Sequence, residues 1–435
     1  MNLFRVLLFL NGFPIQKALK KIKEIHTIPE ENYQKYVLQQ RKKIVDFHLK
    51  NNSFYREIVK NNNTKWVNLP ILTKGDLQIP LEKRLSKGFS KPKVFINKTS
   101  GSTGNPLYFA KDKFSHALTW AIIQNRFNWH KIYNARQARF YGISNRKIPR
   151  IKERLKDFFS NRYRFNVFDL SDEVLKKWLE KFSKEKFVYL NGYTTVLVAF
   201  AKFLSANHII LKDVCSTLKA CVVTAEMLSK KDKKLLEKYI GVPVVNEYGA
   251  SELDLIAFEN KKGEWVINTE TLYIEVVDDY DNLVDDGIVG NIIITSLFNK
   301  ANPFIRYKVG DRGAIRKINN KKCILEKLEG RSEDLIVLPS GKKAPGLTFY
   351  YVTKSIMEDN GAIKELKIVQ IDKASFLIEY VSGKDLLDSQ KQTIKDVLSN
   401  YLELGLQVDF VRKSNLERSQ SGKLKQFVSL VKNKR

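Results

Sequence analysis

"TSGSTGNP", residues 99–106, puts two threonines, two serines and two glycines in its first six positions and a proline two residues on. That composition suits a flexible connection, but the flanks give it a fixed setting. Upstream, Val94, Phe95 and Ile96 read as a short strand; downstream, Phe114, Leu118, Ala121 and Ile122 recur at helical spacing. The pattern predicts a hydroxyl- and glycine-rich turn between a strand and a helix. Small residues let backbone N–H groups approach an anion there, and hydroxyls add donors, as wrapping a phosphate requires. The loop is not the P-loop of the common NTPases: no Gly-Lys-Ser/Thr closes it, and the first lysine after it is Lys111.

Outward from this loop, residues 1–60 are patterned as amphipathic helices. Between 186 and 247 apolar strands alternate with helices: "KFVYLNG" before "YTTVLVAFAKFLSAN", "LKACVVTAEM" before "SKKDKKLLEKYI", then "PVVNEYG". Such alternation argues a mostly parallel sheet covered by helices. From 264 to 328 short strands such as "LYIEVVDD", "NIIITSL" and "CILEKL" indicate an antiparallel sheet or distorted barrel. After "EGRSED" the chain starts again on a smaller scale with "KELKIVQI", "SFLIEYV", the helix "DSQKQTIKDVLSNYLEL" and "LQVDFV". The expected fold is therefore α/β with a small α+β C-terminal domain, divided into 1–331 and 332–435. Ligands of open parallel sheets bind beyond the carboxyl ends of the strands. Polar clusters fall at such ends or near the boundary: "VTAEM" (223–227), "NEYGASE" (246–252) and "RYKVGDRG" (306–313).

Apolar residues make up 43% of the 435, ample for a core. Cys215, Cys221 and Cys323 form neither a Cys-x-x-Cys pair nor a His-associated metal spacing, which argues a reduced, cytoplasmic chain without structural zinc. The runs "VLLFL" (6–10) and "VLVAFA" (196–201) are too short to span a bilayer. The N-terminus lacks the cleavage site of a signal peptide. Charge is lopsided, with 76 Lys and Arg against 47 Asp and Glu, a net of +29. The lysines are spread through every segment and no nucleic-acid-binding signature accompanies them, so nucleic acid is not the expected partner. The densest basic stretches are 145–165 and 16–25, the second following "LFRVLLFL". They fit either peripheral contact with an anionic membrane or a solvated face whose apolar side packs on the protein; the second reading takes precedence.

Taken in order, these clusters resemble the motifs of the adenylate-forming enzymes, the superfamily of acyl-CoA synthetases, peptide-synthetase adenylation domains and luciferases. "TSGSTGNP" is similar to its ATP-phosphate loop, "EYGASE" to its Tyr-Gly-x-Ser/Thr-Glu motif, and "PFIRYKVGDRG" to its Tyr-x-x-Gly-Asp motif. "EGRSEDLIVLPSGKKAPG" resembles the Gly-Arg hinge segment and "RSQSGKLKQF" the terminal Ser-Gly-Lys motif. The phenylacetate–CoA ligase-like branch, with its relatives encoded among capsule and lipopolysaccharide biosynthesis genes, is the nearest in pattern.

The resemblance implies that a carboxylate attacks the α-phosphate of ATP, giving an acyl-adenylate and pyrophosphate, and that an acceptor then takes the acyl group. Thr99, Ser100, Gly101, Ser102, Thr103 and Gly104 would cradle the phosphates, and Glu252 would hold Mg²⁺. Tyr248 would stack on adenine with Ala225 and Glu226 on the other side, next to Gly249 and Ser251; Asp311 and Arg331 would meet the ribose. Lys423 would bridge the carboxylate and the α-phosphate. Glu333 or Asp334 would be the hinge; many relatives carry Asp at the first of these positions. Trp120, Phe127, Tyr141, Asn191, Tyr193 and Thr194 occupy plausible acyl-pocket segments, a mixture that suits an aromatic acid or a sugar acid. Cysteines for the zinc site of some relatives are missing, and two lysines in "PSGKKAPG" leave the acceptor open between coenzyme A, an amine and a sugar. Amide- or ester-forming ligases of sugar acids or amino sugars share these motifs, and so would a non-catalytic ATP-binding homologue.

Overall fold

The computed structural model describes residues 3–60, 65–99, 106–142, 154–331, 335–341, 343–345, 363–418, 422 and 424–431. The chain divides into two compact units, one of Met1–Val309 with Gly313–Lys327 and the other of Gly310–Arg312 with Leu328–Arg435.

The first unit is organised on an eleven-stranded mixed sheet. Its parallel half holds β3 (Gln137–Phe140), β4 (Arg162–Phe165), β5 (Tyr189–Tyr193), β6 (Ala220–Thr224) and β7 (Val244–Ala250), in the order β4-β3-β5-β6-β7. The antiparallel strands expected from 264 onward are present and continue this same sheet. They are β8 (Asp254–Glu259), β9 (Trp265–Ile267), β10 (Leu272–Val277), β11 (Gly290–Ser296), β12 (Tyr307–Lys317) and β13 (Cys323–Arg331), ordered β7-β8-β9-β13-β12-β11-β10. A hairpin, β1 (Val94–Lys98) with β2 (Tyr108–Asp112), stands apart from the sheet.

The central strands read as near-continuous apolar runs because both faces are covered. Leu190, Cys221, Val223 and Val244 pack with the helices Asp172–Lys184, Thr194–Ala206 and Lys230–Ile240. Tyr189, Ala220, Val222 and Val245 face the helix Lys113–Trp129 and, with it, the helix Ile15–Thr27. Local signals set the helix limits: Asp112 accepts from the backbone N–H of Phe114 and Ser115 at 3.0 and 2.9 Å, and Gly241 ends Lys230–Ile240 in the left-handed region.

Packing bears on the basic stretches. Ile15, Ala18, Ile22 and Ile25 are buried, so the apolar face of Ile15–Thr27 is spent on the protein and its lysines turn to water. In Leu3–Leu10, Phe4 meets the Trp120 ring edge-on at 4.6 Å, whereas Phe9 and Leu10 stay exposed. Two arginines of the 145–165 stretch are turned away from the surface. Arg162 and Arg164 lie on β4 with largely buried side chains and both pair with Asp157. These two arginines form a largely buried ion cluster, because the edge strand turns them onto one carboxylate.

The second unit has its own core. β16 (Ile363–Gln370) and β17 (Ser375–Ser382) are antiparallel, with β18 (Gln407–Lys413) parallel to β17 and β19 (Phe427–Ser429) parallel to β16. Ile368, Phe376 and Ile378 pack with Ile394 and Leu398 of the helix Asp388–Tyr401. A small hairpin precedes them, β14 (Leu335–Val337) with β15 (Lys343–Pro345). Among the described residues no helix is long and apolar enough to cross a membrane.

Candidate active site

The glycine- and serine-rich loop joins two strands of a hairpin, not the strand and helix that the periodicity predicts. Five residues of β2 intervene before the helix Lys113–Trp129 begins, too few for a helical period to reveal. Thr99 closes the loop from one side, its backbone N–H donating to the Leu107 carbonyl at 2.9 Å while its Oγ1 accepts from the Leu107 N–H at 3.0 Å. Ser100, Gly101, Ser102, Thr103 and Gly104 lie outside the described residues. The far strand is anchored by charge. Lys111, 2% exposed, pairs with Asp254 and reaches the Ser251 carbonyl at 3.5 Å. Asp254 also accepts from Thr119 Oγ1.

That anchor leads to the end of β7. Gly249 sits at a bulge between β7 and β8, where a Cβ would lie 2.6 Å from the Asp254 carbonyl, so no larger residue fits without moving backbone. The sharp turn after it brings Glu252 inside, 6% exposed, where Tyr307 Oη donates to its Oε1 at 3.0 Å. Tyr307 is buried and stands on β12, bridged to Leu72. Its neighbour Arg306 donates to the Val67 and Leu69 carbonyls and lies 3.4 Å from Glu275, fixing the strand that carries it. Tyr248 is 7% exposed and meets Trp265 edge-on, ring centroids 6.1 Å apart.

A second group of side chains gathers where β3, β5, β6 and β7 end. Tyr193, Thr224 and Glu247 occupy one row of the register, and the Tyr141 and Tyr193 rings lie 4.8 Å apart. Ala225 holds φ +67°, a left-handed conformation that costs a non-glycine residue about 1–2 kcal/mol. It aims Glu226 at the helix Thr194–Ala206: Glu226 Oε2 accepts from the Thr195 N–H at 2.8 Å, and the Glu226 carbonyl accepts from Thr194 Oγ1 at 3.2 Å. The carboxylate thus caps a helix whose own N-cap, Tyr193, supplies no side-chain acceptor. Asn191 is buried, its amide accepting from Gln137 at 3.0 Å and facing the Val222 carbonyl at 3.4 Å. Trp120 stands elsewhere: its contacts are Phe4 and His116, not the tyrosine pair. Phe127 is likewise in the core, stacked on Phe258 at 5.4 Å.

In the second unit, Asp311 follows Gly310, whose φ of +90° demands glycine though space around it is open. Arg331 ends β13 after Gly330 at φ +98°. Around the Ser-Gly-Lys motif, Arg418 bridges to Leu424 and donates to the Gly422 carbonyl at 3.3 Å, so the segment doubles back. Glu333, Asp334 and Lys423 lie outside the described residues.

The fold has counterparts among solved structures. The 2-hydroxyisobutyryl-CoA ligase in the postadenylation state, in complex with R3-HIB-AMP, superposes with a TM-score of 0.69 over 94% of this chain and 91% of that one, at 14% identity. The chain has the adenylate-forming ligase fold. The amide bond synthetase McbA from Marinactinospora thermotolerans shares the fold with a TM-score of 0.54, covering 77% and 69% of the two chains at 13% identity. In sequence, this adenylate-forming fold is 26% identical over 387 residues to Protein CapK of Staphylococcus aureus, which spans 85% of this chain and 82% of that protein. Phenylacetate-coenzyme A ligase of Pseudomonas putida matches at 26% over 132 residues, 28% of this chain and 29% of the enzyme. No protein-family model matches the sequence.

Three residues of the site escaped the sequence analysis in their roles. Tyr307 stands inside the quoted "RYKVGD", yet nothing in the motif says that its hydroxyl serves Glu252. Lys111 is noticed only as a lysine that fails to complete a P-loop. Arg139 carries no signal beyond a charge in a four-residue strand.

Proposed function

We propose that this chain is an ATP-dependent ligase that activates a carboxylic acid as its acyl-adenylate and passes the acyl group to an acceptor. The observation that carries the reading is the buried Glu252, turned inward after the Gly249 bulge and hydrogen-bonded by Tyr307, flanked by Ser251 and Asp254, which hold Lys111 of the loop's hairpin. The likeness to ligases of known structure supports it.

In this reading the reacting groups are both anionic, so the site must supply positive charge and oriented donors before they meet. The hydroxyl and backbone groups of the 99–104 loop bind the phosphates, and its hairpin is held rigid by Lys111 and Asp254. Glu252 suits Mg²⁺: it is a hard oxygen donor, buried and backed by a neutral hydroxyl. Among the described residues there is no cluster of three or more metal-ligating side chains, as expected where phosphates and water complete the shell. When bound, the cation would offset charge developing on the phosphates. Tyr248 and Asp311 would hold adenine and ribose, and Lys423, on the second unit, would draw the carboxylate to the α-phosphate, with rotation about Glu333 or Asp334 separating the two half-reactions. The acceptor stays open between coenzyme A, an amine and a sugar.

ATP–pyrophosphate exchange across a panel of carboxylic acids tests this. Acid-dependent exchange is expected, and Lys423→Ala should slow it roughly 10²–10³-fold, the loss that follows removal of one charge-stabilising group. ATP binding with no exchange for any acid would make the chain a non-catalytic homologue.

A further inference from the structure

Arg139 is a charge without an answer. It lies on β3, and its guanidinium carbon sits 3.9 Å from the centroid of the Tyr141 ring. Its Nε is buried without a hydrogen-bond partner, and among the described residues the guanidinium makes no hydrogen bond or ion pair. Its neighbours do not compensate it. Arg162 and Arg164, on the adjacent strand, share Asp157. Arg139 also acts on Glu247, whose carboxyl is pushed up by burial more than the hydrogen bond from Thr224 and the charge of Arg139 pull it down. Arg162 and Arg164 thus hold Asp157 between them, and Arg139 has no ion pair among the described residues.

The position makes this meaningful. β3, β5, β6 and β7 run parallel here, and Arg139 is stacked on Tyr141 just past the end of β3, beside Tyr193. Small-molecule sites of open parallel sheets lie at those carboxyl ends. A guanidinium held over an aromatic ring is preorganised, and its N–H groups can take a carboxylate in two parallel hydrogen bonds. Leaving such a group half-buried and unpaired is costly unless a ligand completes it.

We infer that the acid this protein activates is a dicarboxylic acid, with one carboxylate going to the adenylate and the other held by Arg139. The inference rests on the ligase reading for the fate of the first carboxylate. The recognition itself stands on the Arg139 site alone.

The test pairs acids of matched shape: 4-carboxyphenylacetate with phenylacetate, and glutarate with pentanoate. Binding to the full chain in the presence of ATP and Mg²⁺ is measured by calorimetry, and turnover by pyrophosphate exchange. At least one diacid should bind about tenfold or more tightly than its partner, the scale of a charge-assisted hydrogen bond. Arg139→Gln should collapse that ratio toward one through KM or Kd for the diacid, and Arg139→Lys should restore part of it. Equal binding within both pairs, preference for the monoacids, no binding of any acid, or a ratio that Arg139→Gln leaves intact would each overturn the inference. Diacid-selective binding lost in Arg139→Gln upholds it even if no acid supports exchange, an outcome that would sink only the ligase reading.

Discussion

Around Glu252 the charges meet across elements: Tyr307 donates to Glu252, Asp254 pairs with Lys111 of the β1–β2 hairpin, and Glu275 lies 3.4 Å from Arg306. Around Arg139, near the end of β3, the guanidinium lies over the Tyr141 ring and makes no hydrogen bond or ion pair among the described residues. The difference teaches how to sort polar groups at a site. A charge satisfied by the protein is scaffold, holding other groups in place, whereas a preorganised charge left unsatisfied is waiting for something the protein does not supply.

The sharpest way to break this contrast is to remove Lys111. Lys111→Met strands Asp254 without its counter-ion and should lower stability by about 3–5 kcal/mol, read from the urea midpoint at constant slope. Adding Asp254→Asn should recover most of the loss. A change under about 1 kcal/mol would mean that the pair is no anchor.

Next in size is the catalytic consequence of Glu252. Glu252→Gln should slow adenylate formation roughly 10²–10³-fold. Tyr307→Phe, which removes one hydrogen bond to a charged group, should cost about 1.5–3 kcal/mol, or tenfold to a hundredfold, in the same exchange assay. Combining the two should add little to Glu252→Gln alone; fully additive losses would show that Tyr307 does not act through Glu252.

Acid should distinguish the two ends by sign. Burial lowers His48 to about 4 despite its bond to the Asn299 carbonyl, and lowers His116 to about 4 despite Asp254. Both folded-state values lie below the ordinary one, so the unfolded chain binds more protons between them. Stability therefore falls as pH drops from 6.5, by roughly 2 kcal/mol per histidine by pH 5. Glu247 is shifted the other way: its folded value is raised, so its contribution is present at low pH and lost as pH rises above the ordinary glutamate range. Urea titrations from pH 5 to 6.5 should show a shallower slope in His116→Gln. Extending them to pH 8, Glu247→Gln should be relatively more stable at the upper end; parallel curves in either case would contradict the assignment.

The smallest effect should come from Arg139. With no hydrogen bond or ion pair to lose among the described residues, Arg139→Met should change stability by only about 0.5–1 kcal/mol in the absence of ligand. A loss approaching that of Lys111→Met would erase the contrast.

Much of the frame was legible beforehand. "KFVYLNG", "LKACVVTAEM" and "PVVNEYG" became β5, β6 and β7, because strands buried on both faces must be apolar throughout and alternate with amphipathic helices. "KELKIVQI", "SFLIEYV" and "LQVDFV" became β16, β17 and β18. Two strands were hidden. "RYRF" lies inside the basic 145–165 stretch and became the edge strand β4, while "QARF", four residues with an arginine among them, was too short for a strand period to show and became β3. β2 was hidden differently, a short strand running straight into its helix through the Asp112 cap.

By itself the sequence determined what short-range physics encodes: helical and strand periods, the glycines that permit Gly249 its close approach and Gly310 its positive φ, and the order of polar clusters at strand ends. Only the tertiary structure decided which charges meet. Lys111 and Asp254 are 143 residues apart in number, Glu252 and Tyr307 are 55 apart, and among the described residues Asp157 is shared by Arg162 and Arg164 while Arg139 has no ion pair. Pairing of buried charges depends on strand order and register, which bring distant residues within a few ångströms. No local pattern carries that information, because an arginine that is paired and one that is not are the same letter in the chain.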